Sequence, residues 1–268
     1  MIIVTNKNIK EVIQAKLAEA GNYADLNYID TSRVTNMDWL FAWSKFNGDI
    51  SKWDTSNVIS MVGMFSHSSF NRDISQWDVS KLRSLDSMFF KSNFNGDISD
   101  WDTRSLKDMT NSFRCSIFDG CLKNWNVSNV ISFSGTFSFS VFNNDISSWD
   151  ISAANNTSNM FSSSKFNNDI SKWDVSNCIN FSDMFLGSKF NSDISKWDVS
   201  AGTNFNSMFI DSSFSGDISK WDVVNCKNDS CFNMLVGSKF TGIINKQVYI
   251  VGKKSTIKEY KSYILNNI

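Results

Sequence analysis

The chain has 268 residues, of which 41% are hydrophobic and 20% charged, and its formal net charge is −1. This balance allows a sizeable buried core, excludes a disordered chain and gives no electrostatic basis for strong nucleic-acid binding. Proline is absent, although about 5% is usual, and a single histidine with few glycines argues against His-rich metal sites and Gly-rich phosphate cradles.

The N-terminal segment, residues 1–21, differs in pattern from the rest of the chain. Met1–Thr5 is strand-like, Lys7–Ala20 is helix-like, and Gly21 is a plausible helix stop. We expect this strand and helix to cap one end of a larger stack. The segment shows no basic stretch followed by an apolar one, and no apolar run of about 18 residues occurs anywhere. The sequence therefore predicts neither a secretory signal nor a membrane span.

A strict internal repeat follows. Eight tryptophans are each separated from the next by 24 residues: Trp53, Trp77, Trp101, Trp125, Trp149, Trp173, Trp197 and Trp221. Phenylalanines starting at Phe46 and aliphatic residues starting at Ile50 recur with the same period, and Leu26–Phe41 falls into the same register. A fixed period of this length is typical of stacked repeats. We therefore expect about nine repeats between residues 22 and 239, with the tryptophans in the core.

The pattern changes within each repeat. The spacing of apolar residues over Ile50–Thr55 is that of a short leucine-rich-repeat strand, and the three- and four-residue steps over Val58–Phe65 are typical of a short helix that Ser56 would cap. Residues 240–268 read as a C-terminal strand, QVYIVG, followed by a Lys-rich helix over Ser255–Asn267. The predicted fold is an α/β solenoid: a right-handed, leucine-rich-repeat-like stack of about nine strand-helix coils of 24 residues, with a cap at each end.

The repeated motif F-N-x-D-I-S-x-W-D-V-S, followed by V-x-x-M-x-x-M-F, covers residues 22 to about 240. It resembles the BspA-like bacterial surface protein family, whose short repeats occur in mycoplasma and lactobacillus lipoproteins. The resemblance implies a leucine-rich-repeat relative located at a cell surface, with a role in adhesion or host interaction. It implies no enzymatic activity and no cofactor.

Two aspartate columns are the most conspicuous polar feature; a column is here the set of residues at one position of successive repeats. The first comprises Asp49, Asp73, Asp97, Asp145, Asp169, Asp193 and Asp217, and the second Asp54, Asp78, Asp102, Asp150, Asp174, Asp198 and Asp222. Stacked like charges repel, so we expect backbone amides to compensate them. A ladder of calcium ions is the alternative. In one repeat Cys121 and Asn126 replace both acids, which favours the amide explanation because Asn126 still accepts a hydrogen bond.

The residues between the inward positions of the predicted strands would form a concave binding face. They are Lys52, Asp54, Asp78, Asp102, Asp150, Lys172, Asp174, Lys196, Asp198, Lys220 and Asp222. Variable residues on such a ladder commonly bind partners, and the alternative is a solvated face of mixed charge.

No set of residues indicates catalysis. The five cysteines lack metal-site spacing and are expected to be buried free thiols, and His67 has no second histidine to act with. We therefore expect no catalytic residue, no metal and no cofactor. The predicted function is a non-enzymatic module that binds a protein, or a glycan, through the concave face. The alternative is a structural component of a surface layer or virion that self-associates.

Overall fold

The N-terminal segment lies on the first repeat through a strand and a helix. The computed structural model describes residues 2–226, 233–244, 247–250 and 253–255. Strand β1 (Ile2–Ile3) pairs in parallel with β2 (Ile29–Asp30), and helix α1 spans Ile9–Ala20. The helix buries Ile9 and Ile13, and Gly21 follows its last residue, with a φ of 80° and an N–H that donates to the Leu17 carbonyl. The predicted strand and helix are therefore both present, and the helix begins at Ile9.

The C-terminal segment contains a small antiparallel sheet. Its strands are β3 (Gly242–Ile244), β4 (Gln247–Ile250) and β5 (Lys253–Ser255), paired in that order. Strand β4 coincides with the first four residues of the predicted strand QVYIVG. The helix predicted over Ser255–Asn267 lies outside the described residues, except for Ser255, which ends β5.

The repeats lie against one another in a register of 24 residues. Parallel bridges of single residues connect one repeat to the next, as between Ser60 and Ser84. The bridged column consists of Asn36, Ser60, Ser84, Asp108, Ser132, Asn156, Asn180 and Asn204. The backbone therefore supplies hydrogen bonds between neighbouring repeats, at the position where each predicted helix would start.

The predicted fold, a right-handed leucine-rich-repeat-like α/β solenoid of strand-helix coils, is wrong. Over residues 22–226 the structure has no helix, and its strand content is β2 and the single-residue bridges. Residues 61–68 instead form consecutive turns, in which Met64 N–H donates to the Met61 carbonyl at 3.1 Å and Ser68 N–H to the Phe65 carbonyl at 3.2 Å. Phe65 N–H donates to the next repeat, at the Met88 carbonyl (3.0 Å), and is thus unavailable for a helix.

Left-handed residues explain why this segment cannot be helical. Gly63 has φ 59° and His67 has φ 54°, each at the third position of a turn, as in a type II turn. A right-handed helix needs a negative φ at every residue. The three- and four-residue apolar spacing over Val58–Phe65 therefore arises from successive turns that bury one side of the chain.

The predicted strand is a turn as well. Trp53 N–H donates to the Ile50 carbonyl at 3.2 Å, which folds the segment where a strand would be extended. The repeats within residues 22–226 therefore form no concave strand face. Ser56 is not a helix cap that accepts a bond, because both its N–H (3.0 Å) and its Oγ (2.6 Å) donate to Asp54 Oδ1.

Aromatic rings fill the core in ladders. Rings one repeat apart lie parallel with centroids 5.9 Å apart for Phe65 and Phe89, and 6.5 Å apart for Trp53 and Trp77. These distances correspond to offset stacking. All eight periodic tryptophans are buried, and each indole N–H donates to a backbone carbonyl 27 residues earlier. Each tryptophan thus fills the core and hydrogen-bonds to the preceding repeat.

Candidate functional site

The residues predicted to bind a partner are at the surface, one repeat apart, but on turns rather than on strands. All of them are exposed except Asp102, which is half-buried. The Arg104 guanidinium holds Asp102, with Nε 2.8 Å from each carboxylate oxygen. We call the eleven predicted residues, from Lys52 to Asp222, the acidic face.

Every aspartate of the two columns accepts a backbone amide hydrogen bond from the residue two positions on. Asp49 Oδ1 accepts from Ser51 N–H at 2.9 Å, and Asp54 Oδ1 from Ser56 N–H at 3.0 Å. The other aspartates of both columns make the same bond at 2.8 to 3.3 Å. Asn126 makes it too, with Ser128 N–H at 3.1 Å. Backbone amides therefore compensate these carboxylates, as the sequence predicts.

These bonds favour the ionised form of the aspartates. The Ser51 amide and then the Ser51 hydroxyl lower the pKa of Asp49. The Ser99 amide and then the Ser99 hydroxyl lower the pKa of Asp97 in the same way. Neighbouring repeats act in the opposite direction, because the charge of Asp102 opposes the lowering of the Asp78 pKa. The structure thus brings the stacked carboxylates close enough to repel one another.

The lysines of the acidic face each act on an aspartate of the same repeat. Lys172 contributes to the lowered pKa of Asp169, and Lys52 to that of Asp49. Lys196 and Lys220 act likewise on Asp193 and Asp217. Because three of these lysines lie in consecutive C-terminal repeats, that half carries mixed charge while the N-terminal half is more acidic.

The described residues contain no group of three or more His, Cys, Asp and Glu side chains arranged to hold a metal ion. The prediction of five buried free thiols is wrong in two respects. Cys226 is disulfide-bonded, and among the free thiols Cys121 is exposed and Cys115 is half-buried. Cys178 is a buried free thiol, and burial raises its pKa.

An asparagine ladder connects the repeats through residues that the sequence interpretation did not name. Asn47 Oδ1 accepts from Asn71 N–H at 2.9 Å, and Asn71 Oδ1 accepts from Asn95 N–H at 2.8 Å. The ladder continues through Asp119, Asn143, Asn167 and Asn191 to the Ser215 amide. The signal was available, because Asn or Asp follows almost every phenylalanine of the Phe46 column.

Two surface tryptophans were also missed. Of the ten tryptophans, Trp39 and Trp43 do not fall into the 24-residue series, and they are 41% and 66% exposed. Their departure from the period was the available signal. They lie on the turns of the first repeat. Neither occupies a repeat position that contributes a residue to the acidic face.

None of the helices among the described residues is long and apolar enough to cross a membrane. No curated protein and no solved structure matches the chain. A family described as "Mycoplasma protein of unknown function, DUF285" matches residues 7–116, 90–188 and 140–246 in three overlapping stretches. These matches span the N-terminal helix and all the repeats, and the chain therefore belongs to this family of mycoplasma-type repeat proteins.

Proposed function

We propose that the chain is a non-enzymatic repeat module that binds a protein partner through the acidic face. The observation that carries the proposal is the fixed position of the carboxylates. Each Asx turn of the acidic face uses Oδ1 of its aspartate, as in Asp54 and Asp174. The second oxygen is left for a partner in all of them except Asp102, whose second oxygen Arg104 holds. Preorganised charges lose little conformational entropy on binding.

The size of the face favours a macromolecule over a small ligand. Equivalent rings in adjacent repeats are about 6 Å apart, as for Phe46 and Phe70 at 6.0 Å, so a row of seven aspartates extends over several repeats. Complementary charge on a protein surface would engage such a row and set the rate and specificity of association. The repeat motif resembles that of BspA-like surface proteins, and we propose that the two motifs are related. This relationship supports adhesion as the biological setting.

Removal of the carboxylate charges tests the proposal. A protein array probed with the labelled full chain would supply partners, and their affinities would then be compared for D54N/D174N/D198N and wild type. Asparagine still accepts the amide bond of the turn, as Asn126 does, but carries no charge, so we expect at least a tenfold loss of affinity. The matched control, D97N/D169N/D193N, changes the net charge equally through exposed aspartates of the first column, and we expect less than a twofold effect.

Two outcomes would contradict the proposal. Equal losses for both triple variants would show that binding follows net charge and not the acidic face. Self-association of wild type in sedimentation velocity, without any array partner, would support the alternative of a structural component. Circular dichroism of all variants establishes that the fold is retained.

A further inference from the structure

Trp39 and Trp43 form an exposed pair of nearly parallel rings in the first repeat. Their ring centroids are 5.8 Å apart and their planes differ by 14°. The side chains are 41% and 66% exposed, so most of the area of Trp43 is in contact with water. We call this pair the indole platform.

The backbone beneath the platform is strained. Trp39 has φ 59° and Trp43 has φ 56°, in the left-handed region that bulky residues rarely occupy. At the position of Trp39, later repeats use Gly63, Asn111 and Gly135, which tolerate this conformation. The turn therefore does not require tryptophan.

The next repeat supports both rings. A Cβ atom on Gly63 would lie 2.2 Å from Cε3 of Trp39, so the absence of a side chain makes room for that ring. The His67 ring stacks on Trp43 at 5.3 Å and 16°, and Phe90 contacts His67 edge-on at 4.9 Å. Burial and then the nearby Lys91 lower the pKa of His67, which keeps the imidazole neutral at neutral pH. The support is preorganised and uncharged.

The shape and charge of the platform select the ligand. A quaternary ammonium group needs rings on several sides, whereas these rings are nearly parallel. The adjacent Asp38 already accepts hydrogen bonds from Ser60 Oγ (2.6 Å), Val62 N–H (2.8 Å) and the exposed Asn36 side chain (2.8 Å). Both of its carboxylate oxygens are therefore already occupied by donors of this chain, which leaves them poorly placed to bind a cationic ligand.

A neutral sugar ring fits these features. One face of a pyranose carries C–H groups that pack on an indole, while its hydroxyl groups point to the sides of the ring, where they bond to water or to polar groups. We infer that the indole platform binds the apolar face of a neutral sugar, so that the chain carries a glycan site. This site shares no residue with the acidic face, and the inference does not depend on the proposed protein-binding function.

The test uses soluble neutral oligosaccharides: hexamers of β-1,4-glucose, α-1,4-glucose and N-acetylglucosamine. Calorimetry of the full chain gives the affinity, and the indole N–H signals of Trp39 and Trp43 in nuclear magnetic resonance report the contact. Trp39→Asn and Trp43→Ser introduce residues that the chain itself uses at these positions, at Asn111 and Ser163, so we expect both variants to fold. Each should weaken binding at least tenfold.

Phe139→Ser is the matched control. Phe139 is 54% exposed and stands 96 residues, or four repeats, after Trp43 at φ 55°, facing Arg114. We expect its affinity for the oligosaccharide to stay within twofold of wild type. Absence of binding to all three hexamers, or binding that Trp43→Ser leaves intact, would overturn the inference. Preferential binding of choline or of a nucleotide by the platform would overturn it as well.

Discussion

The indole N–H of Trp149 donates a hydrogen bond of 2.9 Å to the backbone carbonyl of Leu122, one repeat earlier in the stack. The ring is also buried, with 3% of its surface exposed. Removing it therefore affects packing and the contact between repeats together. The same relationship recurs in all eight periodic tryptophans, which explains why no other aromatic residue occupies this column from Trp53 onward.

We expect Trp149→Ala to destabilise the chain by about 3 to 5 kcal/mol, the usual result of emptying a large aromatic site. Trp149→Phe should lose about 1 to 2 kcal/mol, because it keeps a ring but loses one hydrogen bond. Urea unfolding followed by circular dichroism measures both. A midpoint for Trp149→Ala equal to that of wild type would contradict the buried position.

Substitution of Gly63 separates backbone strain from ring packing. Gly63→Ala meets a left-handed φ of 59° and the Trp39 ring, whereas Gly187→Ala meets φ 60° but only Ser163 Oγ at 3.2 Å. We expect Gly187→Ala to lose about 1 kcal/mol and Gly63→Ala to lose more. In a Trp39→Asn background the two losses should converge. A persistent difference there would show that Trp39 is not the obstacle.

Acid should weaken the fold through the aspartates of the Asx turns. The pKa values of Asp49, Asp97 and Asp169 are lowered from the ordinary 3.8, chiefly by backbone amides. A lowered folded-state pKa contributes stability that is complete above the unfolded value and is lost as pH falls through the folded value. We expect the urea midpoint to fall below about pH 4, and D49N/D97N/D169N to show a shallower fall.

The control for this prediction is Asp97→Ala. Asparagine still accepts the amide bond, as Asn126 does, whereas alanine does not. We expect Asp97→Ala to lose about 1 kcal/mol at pH 7 and the asparagine variant to lose less. Equal pH profiles for wild type and the triple asparagine variant would contradict the role of these carboxylates.

Asp183 should affect the pH dependence of stability in the opposite direction. Burial raises its pKa, so the folded state disfavours its charge, and this penalty is present at neutral pH and vanishes as pH falls below the unfolded value. Asn111 and Asn159 occupy the same column with left-handed φ values of 51° and 57°, so asparagine suits the backbone at Asp183. We expect Asp183→Asn to stabilise the chain at pH 7 by a few tenths of a kcal/mol, after allowance for solvent screening. Its gain should disappear at about pH 3.

The periodic columns could be predicted from the sequence because a repeated side chain in a stack must meet its own equivalent. Local conformation could not be predicted in the same way. Apolar steps of three and four residues over Val58–Phe65 fit a helix and also fit successive turns. The left-handed position distinguishes turns from a helix. Gly63, Gly135 and Asn159 occupy it in different repeats, and the residues around them have ordinary helix propensity.

The candidate site, too, could be predicted from the sequence only in part. Its residues were predicted to be exposed because they would alternate with inward residues on a strand. They are exposed on turns instead, since these turns also direct them to the surface. Amide compensation of the aspartates was expected from the stacking of like charges, whereas their Asx turns were not identified from the sequence. The indole platform was not identified either, because Trp39 and Trp43 depart from the period, and a search for regularity passes over residues that occur once.

The 24-residue register also makes the length of the protein adjustable. Deleting residues 118–141 would place Phe142 where Phe118 now stacks on Phe94, and the tryptophan, asparagine and phenylalanine ladders would all rejoin in phase. A recombination between two repeats of the gene that keeps this phase needs no new core and no new contacts. A chain with this register can therefore gain or lose a whole repeat in a single genetic event, and each such event changes its length while the core contacts between repeats stay the same.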